Sequence, residues 1–154
     1  MSTIGDMFVD PAYATKLAND TNNSLYPRFA DIMTSQGYDW EPVTVTTEDK
    51  YILTTFHILG KTGQTQNATE GTVLVNHGLF QDGTSWIQNY TDANEDPFHL
   101  KLVDAGYDIW IASNRGTEYS LGHETLSYND PAYWSWSWAE MGIYDDIANI
   151  SAIK

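Results

Sequence analysis

Two kinds of apolar spacing run along this chain. Alternation governs Val43-Thr44-Val45-Thr46-Thr47 and Tyr51-Ile52-Leu53-Thr54-Thr55-Phe56-His57, and β-branched residues fill both runs. With only Glu48-Asp49-Lys50 between them, they predict an antiparallel hairpin that starts a sheet. A stretch rich in Gly, Gln, Thr and Asn, from Gly60 to Gly71, reads as a surface loop. It yields to the short apolar run Thr72-Val73-Leu74-Val75, a buried strand. Phe98 to Ala105 has helical character, with Asp96 placed to cap it, Pro97 to open it and Gly106 to end it. Tyr107-Asp108-Ile109-Trp110-Ile111-Ala112 follows as a second apolar strand. Strand, helix and strand from Thr72 to Ala112 require a parallel pair joined by a right-handed crossover, which makes the fold class α/β.

The ends of the chain are patterned differently. Residues 1–37 are polar, with weak helical spacing in Ala12 to Leu17 and Arg28 to Met33, and read as a peripheral lead-in to a domain over residues 38–154. Near the other end, Ser137-Trp138-Ala139-Glu140 forms a capping box, and Ile143, Ile147 and Ile150 gather on one face of a final helix. No Gly or Asn terminator closes that helix before Lys154, so its end reads as a cut.

Composition narrows the function classes. Seven basic against 21 acidic side chains give a formal charge of −14, which removes the electrostatic basis for binding nucleic acid or anionic membranes. An acidic lumen would relax that self-repulsion, although many cytosolic proteins share such a balance. Cysteine is absent, so neither disulfides nor thiolate metal sites arise. The sequons at Asn19, Asn22, Asn67, Asn89 and Asn149 favour the secretory pathway, whereas the start Met1-Ser2-Thr3-Ile4-Gly5-Asp6 has no leader-like apolar segment. No apolar run approaches the roughly 20 residues that span a bilayer.

The candidate chemistry sits where the two parallel strands end, because sites in such sheets form beyond the carboxyl ends of the strands. Asn76-His77-Gly78-Leu79-Phe80 follows the first of them, and Ser113-Asn114-Arg115-Gly116 follows the second. A His-Gly-apolar turn frees a backbone N–H to face a developing oxyanion, as α/β-hydrolases do. The matching Gly-x-Ser-x-Gly elbow does not occur between Met1 and Lys154. Ser85 lacks the second elbow glycine, so it is not read as a nucleophile. His77 reads as a structural part of the turn rather than a base, and Arg115 as a buried ion-pair or loop-fixing residue rather than a substrate contact. His57, His99 and His123 are dispersed, which argues against a metal site. Trp134, Trp136 and Trp138 are read as core packing rather than a lipid-contacting stripe, and Asp145 with Asp146 as a solvated or capping pair rather than an acid/base dyad.

Taken in order, these motifs resemble the N-terminal part of the acid lipases, the gastric and lysosomal triacylglycerol and cholesteryl ester hydrolases, from about Tyr38 to Asp145. The resemblance rests on Val45-Thr46-Thr47-Glu48-Asp49-Lys50-Tyr51-Ile52-Leu53, on His77-Gly78-Leu79-Phe80 with Ser85-Trp86, and on Leu102-Val103-Asp104-Ala105-Gly106-Tyr107-Asp108-Ile109-Trp110. It continues through Ser113-Asn114-Arg115-Gly116 and Trp136-Ser137-Trp138-Ala139-Glu140-Met141 to Tyr144-Asp145. Phe80 departs from the pattern, standing where a second Leu is usual.

The resemblance implies the N-terminal part of an α/β-hydrolase fold whose sheet is incomplete within this chain. It implies that Leu79 supplies one oxyanion-hole N–H, supported by His77, Gly78 and Phe80. The second donor, the nucleophile in a Gly-His-Ser-Gln-Gly elbow, the triad Asp and His, and the lid would all lie beyond Lys154. The chain alone is then expected to be inactive, the complete enzyme to need no cofactor, and the substrate to be a neutral lipid ester. The sequons and the acidic balance point to a secreted, lysosomal or vacuolar location. The alternative is a non-catalytic hydrolase fragment, a binding or structural subunit with a partner polypeptide completing the sheet.

Overall fold

The computed structural model describes residues 25–88 and 97–153. Strands β1 (Tyr38–Thr46) and β2 (Tyr51–Lys61) form the hairpin, with Val45 opposite Leu53 and an irregularity in register between Asp39 and Trp40. Lys50 takes a left-handed φ of 80° to close the turn. Strands β3 (Gly71–Val75) and β4 (Tyr107–Ser113) are parallel, with Val73 opposite Ile109, and α2 (Phe98–Asp104) is the crossover between them. Pro97 precedes α2 without a side-chain cap, and Gly106 leaves it at a φ of 95°; the expected cap, Asp96, lies outside the described residues. β4 runs antiparallel to β2, and β5 (Gly122–His123) pairs with the start of β2, so the sheet order is β1-β2-β4-β3 with β5 beside β2. Among the described residues, β3 has no neighbour on its outer edge.

Alternation along β2 divides the core in two. Phe56 and Ile58 face one side, with Ile109 and Ile111 of β4, and pack against helix α1 (Pro27–Gln36) and α2. Phe29 of α1 stacks on Phe56 at 3.8 Å between ring centres. Phe29 and Met33 are fully buried, so the segment expected to be a peripheral lead-in contributes to the core from about residue 26. Its apolar residues are few but spaced to fall on one helix face, and Pro27 and Gly37 mark its ends. The second helical stretch expected in the lead-in, Ala12 to Leu17, lies outside the described residues.

Tyr51 and Leu53 face the other side of the sheet, with Val45 and Tyr133. This side is covered by the last helical run: α3 (Trp138–Glu140), a π-helical turn (Met141–Asp145) and α4 (Asp146–Ala152). Its start is the capping box, with Glu140 accepting from the Ser137 N–H at 2.7 Å and Ser137 Oγ accepting from the Ala139 N–H. The face turned to the sheet carries Asp145 and Asn149, both fully buried, while Ile143, Ile147 and Ile150 are 53%, 55% and 49% exposed. Asn149 accepts the Thr55 hydroxyl there, so its sequon offers no accessible acceptor in the folded chain.

Candidate active site

Parallel pairing of β3 and β4, with Val75 opposite Ile111, brings the two following loops to the same end of the sheet. The β1–β2 turn reaches that end too, because Thr54 at the start of β2 lies opposite Ser113 at the end of β4. The loop after β3 is fixed by hydrogen bonds at Asn76, His77, Gly78 and Gln81. Asn76 donates its side-chain amide to Asp146 at 2.9 Å, accepts the His77 N–H on its own Oδ1 at 2.9 Å, and accepts the Trp86 indole N–H on its carbonyl at 3.0 Å. Gly78 donates its N–H to Gln81 Oε1 at 3.0 Å, and its carbonyl accepts the Gln81 N–H at 3.1 Å. A Cβ on Gly78 would lie 2.9 Å from that Gln81 oxygen.

The turn ends in a strained residue. Phe80 has a φ of 60° and is 98% exposed; this left-handed region costs a non-glycine residue roughly 1–2 kcal/mol. Leu79 is 56% exposed. Its N–H meets no acceptor among the described residues. His77 spans the gap to the second loop: Nδ1 lies 2.9 Å from the Gly78 carbonyl and Nε2 accepts the Asn114 N–H at 3.0 Å. An imidazole held between two backbone groups has neither nitrogen free to take a proton from substrate.

Arg115, in the loop after β4, is fully buried. Its backbone N–H and Nε bond Asp145 at 2.9 and 2.8 Å, and Nη1 and Nη2 bond the two oxygens of Asp49 at 2.6 and 2.8 Å. The guanidinium also lies over the Tyr51 ring at 3.9 Å. Burial works against the charge on Arg115, and the two carboxylates more than offset it, raising its pKa above the usual value. Burial raises Asp145 above the ordinary carboxylate range against the pull of Arg115. At partly buried Asp49 the balance reverses: burial acts upward, but the hydrogen bonds from Arg115 and Thr47 outweigh it and hold the carboxyl low. Asp145 is therefore not a solvated or capping residue; it is the buried partner of Arg115. Gly116 follows at a φ of 81°, and a Cβ there would meet the Trp136 ring at 2.8 Å.

The remaining candidates stand apart. His57 sits between Glu41 and Asp108, at 3.2 and 2.7 Å, and stacks on Trp110. His99 is buried on α2, and burial lowers its pKa to about 4. No group of three or more His, Cys, Asp or Glu able to hold a metal occurs among the described residues. Ser85 lies in a short 3₁₀ turn (Gly83–Trp86) whose N-cap is Asp82, with no strand-to-helix elbow. Of the three tryptophans expected in the core, Trp136 packs against the Tyr133 cluster, whereas Trp138 is 70% exposed and Trp134 partly so. The sequence reading missed Gln81, Asp49 and the backbone of Asn114 as partners. Only Asp49 carried a signal, an acid in a tight turn opposite the buried arginine's loop; the other contacts depend on loop geometry that periodicity does not encode.

Residues 29–90 match the family model described as the partial alpha/beta-hydrolase lipase region. Over that span the chain carries the α/β-hydrolase lipase region. It is 36% identical over 130 residues to lipase member N of Homo sapiens, covering 84% of this chain and 32% of that protein. Against lipase member K of Mus musculus the identity is 34% over 144 residues, 93% of this chain and 35% of the relative. With triacylglycerol lipase 1 of Arabidopsis thaliana it is 34% over 116 residues, 75% and 28% respectively. The chain thus spans about a third of the length of the curated relatives it matches. In this chain the antiparallel hairpin, the parallel pair and the crossover helix form a mixed sheet with β1 and β3 as its end strands among the described residues, and no helix among the described residues is long and apolar enough to cross a membrane.

Proposed function

We propose that the chain supplies the oxyanion side of a serine-type lipid ester hydrolase, with Leu79 donating one N–H and the nucleophile, acid and base carried by sequence outside residues 1–154. The observation that carries this reading is the Leu79 N–H itself, without an acceptor among the described residues in a turn whose preceding His77 and Gly78 N–H groups are both engaged. Strain held at exposed Phe80 fits such a site, since sparsely populated backbone persists where function needs it. The exposed apolar side chains of Leu79 and Phe80 suit a neutral lipid ester. No cofactor enters this chemistry.

The test is made in a protein that includes the nucleophile. Leu79→Pro removes the donor, and Pro is well accepted at the second position of a Gly78–Gln81 turn. It should lower kcat about 10²- to 10³-fold with little change in KM, while Leu79→Ala, which keeps the N–H, loses far less. Equal kcat in Leu79→Pro and the parent would end the proposal. Residues 1–154 alone should not react with a fluorophosphonate probe.

A second reading is favoured by one observation: the open β3 edge and the exposed Ile143, Ile147 and Ile150 face both lack a cover among the described residues. In that reading the chain is a non-catalytic subunit and a partner polypeptide completes its sheet. Isolating the native protein separates the two, because a partner of unrelated fold would support the subunit and a segment bearing the serine elbow would support the enzyme. For either reading we place the chain in a secretory, lysosomal or vacuolar lumen, on the strength of the exposed sequon at Asn67.

A further inference from the structure

The direction of a peptide N–H is set by the carbonyl at the other end of its own peptide group. The Gly78 carbonyl and the Leu79 N–H belong to one planar, trans unit, so they point opposite ways and move together. That carbonyl is held twice, by the Gln81 N–H at 3.1 Å and by His77 Nδ1 at 2.9 Å. The preceding peptide group is held as well, through the Gly78 N–H on Gln81 Oε1 at 3.0 Å. The protonation of His77 follows from its other neighbour. The Asn114 backbone N–H, 3.0 Å from Nε2, can only donate, so Nε2 accepts. A neutral ring then carries its proton on Nδ1, the donor the Gly78 carbonyl requires.

Resting on the reading of Leu79 as an oxyanion donor, we propose that His77 is the positioning residue for that donor: as the Nδ1–H tautomer it turns the Gly78–Leu79 peptide group and ties it to the loop after β4 through Asn114. Gln81 shares the task from the other side of Gly78. His77 touches no substrate and transfers no proton. Its ring transmits the position of the β4 loop to the Leu79 N–H through one hydrogen bond on each nitrogen. A shift of the Asn114 backbone therefore re-aims the oxyanion donor, which makes the two loops one unit.

Histidine-labelled ¹⁵N spectra of the 154-residue chain, recorded above the histidine titration range, read the tautomer directly. We expect a protonated Nδ1 and an acceptor Nε2 at His77, and a protonated Nε2 overturns the proposal. Two variants separate the hydrogen bonds, because His77→Asn keeps a donor near Nδ1 and His77→Gln keeps an acceptor near Nε2. One-bond N–H residual dipolar couplings should leave Leu79 unchanged in His77→Asn and shift it in His77→Gln. Amide exchange at Asn114 should rise about 10-fold in His77→Asn and stay as in the parent in His77→Gln. A Leu79 coupling that is unmoved in His77→Gln, or that moves alike in both variants, overturns the positioning role. None of these readouts needs hydrolysis. A failed tautomer result leaves the oxyanion reading standing, whereas unchanged kcat in Leu79→Pro removes that reading and leaves the clamp in place.

Discussion

Arg115 and His99 are buried side chains whose charge bears directly on stability. Arg115 is fully buried with Asp145, also fully buried, and with Asp49 at the rim. Removing one member of such a group leaves an unpaired charge out of water, which costs about 3–5 kcal/mol. Arg115→Met should lower stability by that amount in urea denaturation, and Arg115→Lys should recover little of it, since an ammonium cannot bond two carboxylates in the planar, forked geometry. His99 acts through pH. The residue is 1% exposed, Nε2 has no hydrogen-bond partner among the described residues, and burial lowers its pKa from 6.5 to about 4. The unfolded chain takes up this proton first, so the contribution is complete above about pH 6.5 and is lost as pH falls through about 4. The loss is about 3 kcal/mol. Urea midpoints at neutral pH and near pH 4.5 should show it in the parent and a flatter dependence in His99→Leu.

The final helix shows how an element can be legible while its orientation is not. Capping box and Ile spacing both mark it in the sequence, and the helix is present from Trp138 to Ala152. The face it turns to the sheet is the one bearing Asp145 and Asn149, because those side chains answer the buried Arg115 and Thr55. The three isoleucines are left half exposed. Surface positions of this kind contribute little to the stability of the chain that carries them, so Ile147→Ser should change the unfolding free energy by no more than about 0.5 kcal/mol. Its effect should appear in association: sedimentation velocity should show less self-association, or weaker capture of a completing segment. Strands were easier to read than this helix face. Hydrophobic alternation in the hairpin and the apolar run of β4 follow local burial, whereas β3, expected to be buried, is exposed at Gly71 and Thr72 and only partly covered from Val73 to Val75; Asp145 in the π-helical turn answers Arg115, 30 residues away.

At the scale of the molecule, the α/β plan was legible because strand, capped helix and strand leave few ways to connect a parallel pair. That the loops after β3 and β4 meet at one end of the sheet was legible too. The contacts that join them were not, since backbone partners such as Asn114 N–H carry no sequence signature. The same structure sorts two sequons: Asn67 is exposed in the β2–β3 loop, whereas Asn149 is fully buried and hydrogen-bonded. Chain recovered from a secretory host should carry a glycan at Asn67 and none at Asn149, read by peptide mass before and after enzymatic deglycosylation; sugar on Asn149 in the folded protein would contradict the packing of the last helix. Arg115 also bears on the order of assembly. Its partners lie in the hairpin turn and in the last helix, 66 and 30 residues away in sequence, so the cross-link closes only after β2, β4 and that helix have met. It is a late latch, one that fastens a finished arrangement and gives no guidance to the chain while the sheet is forming.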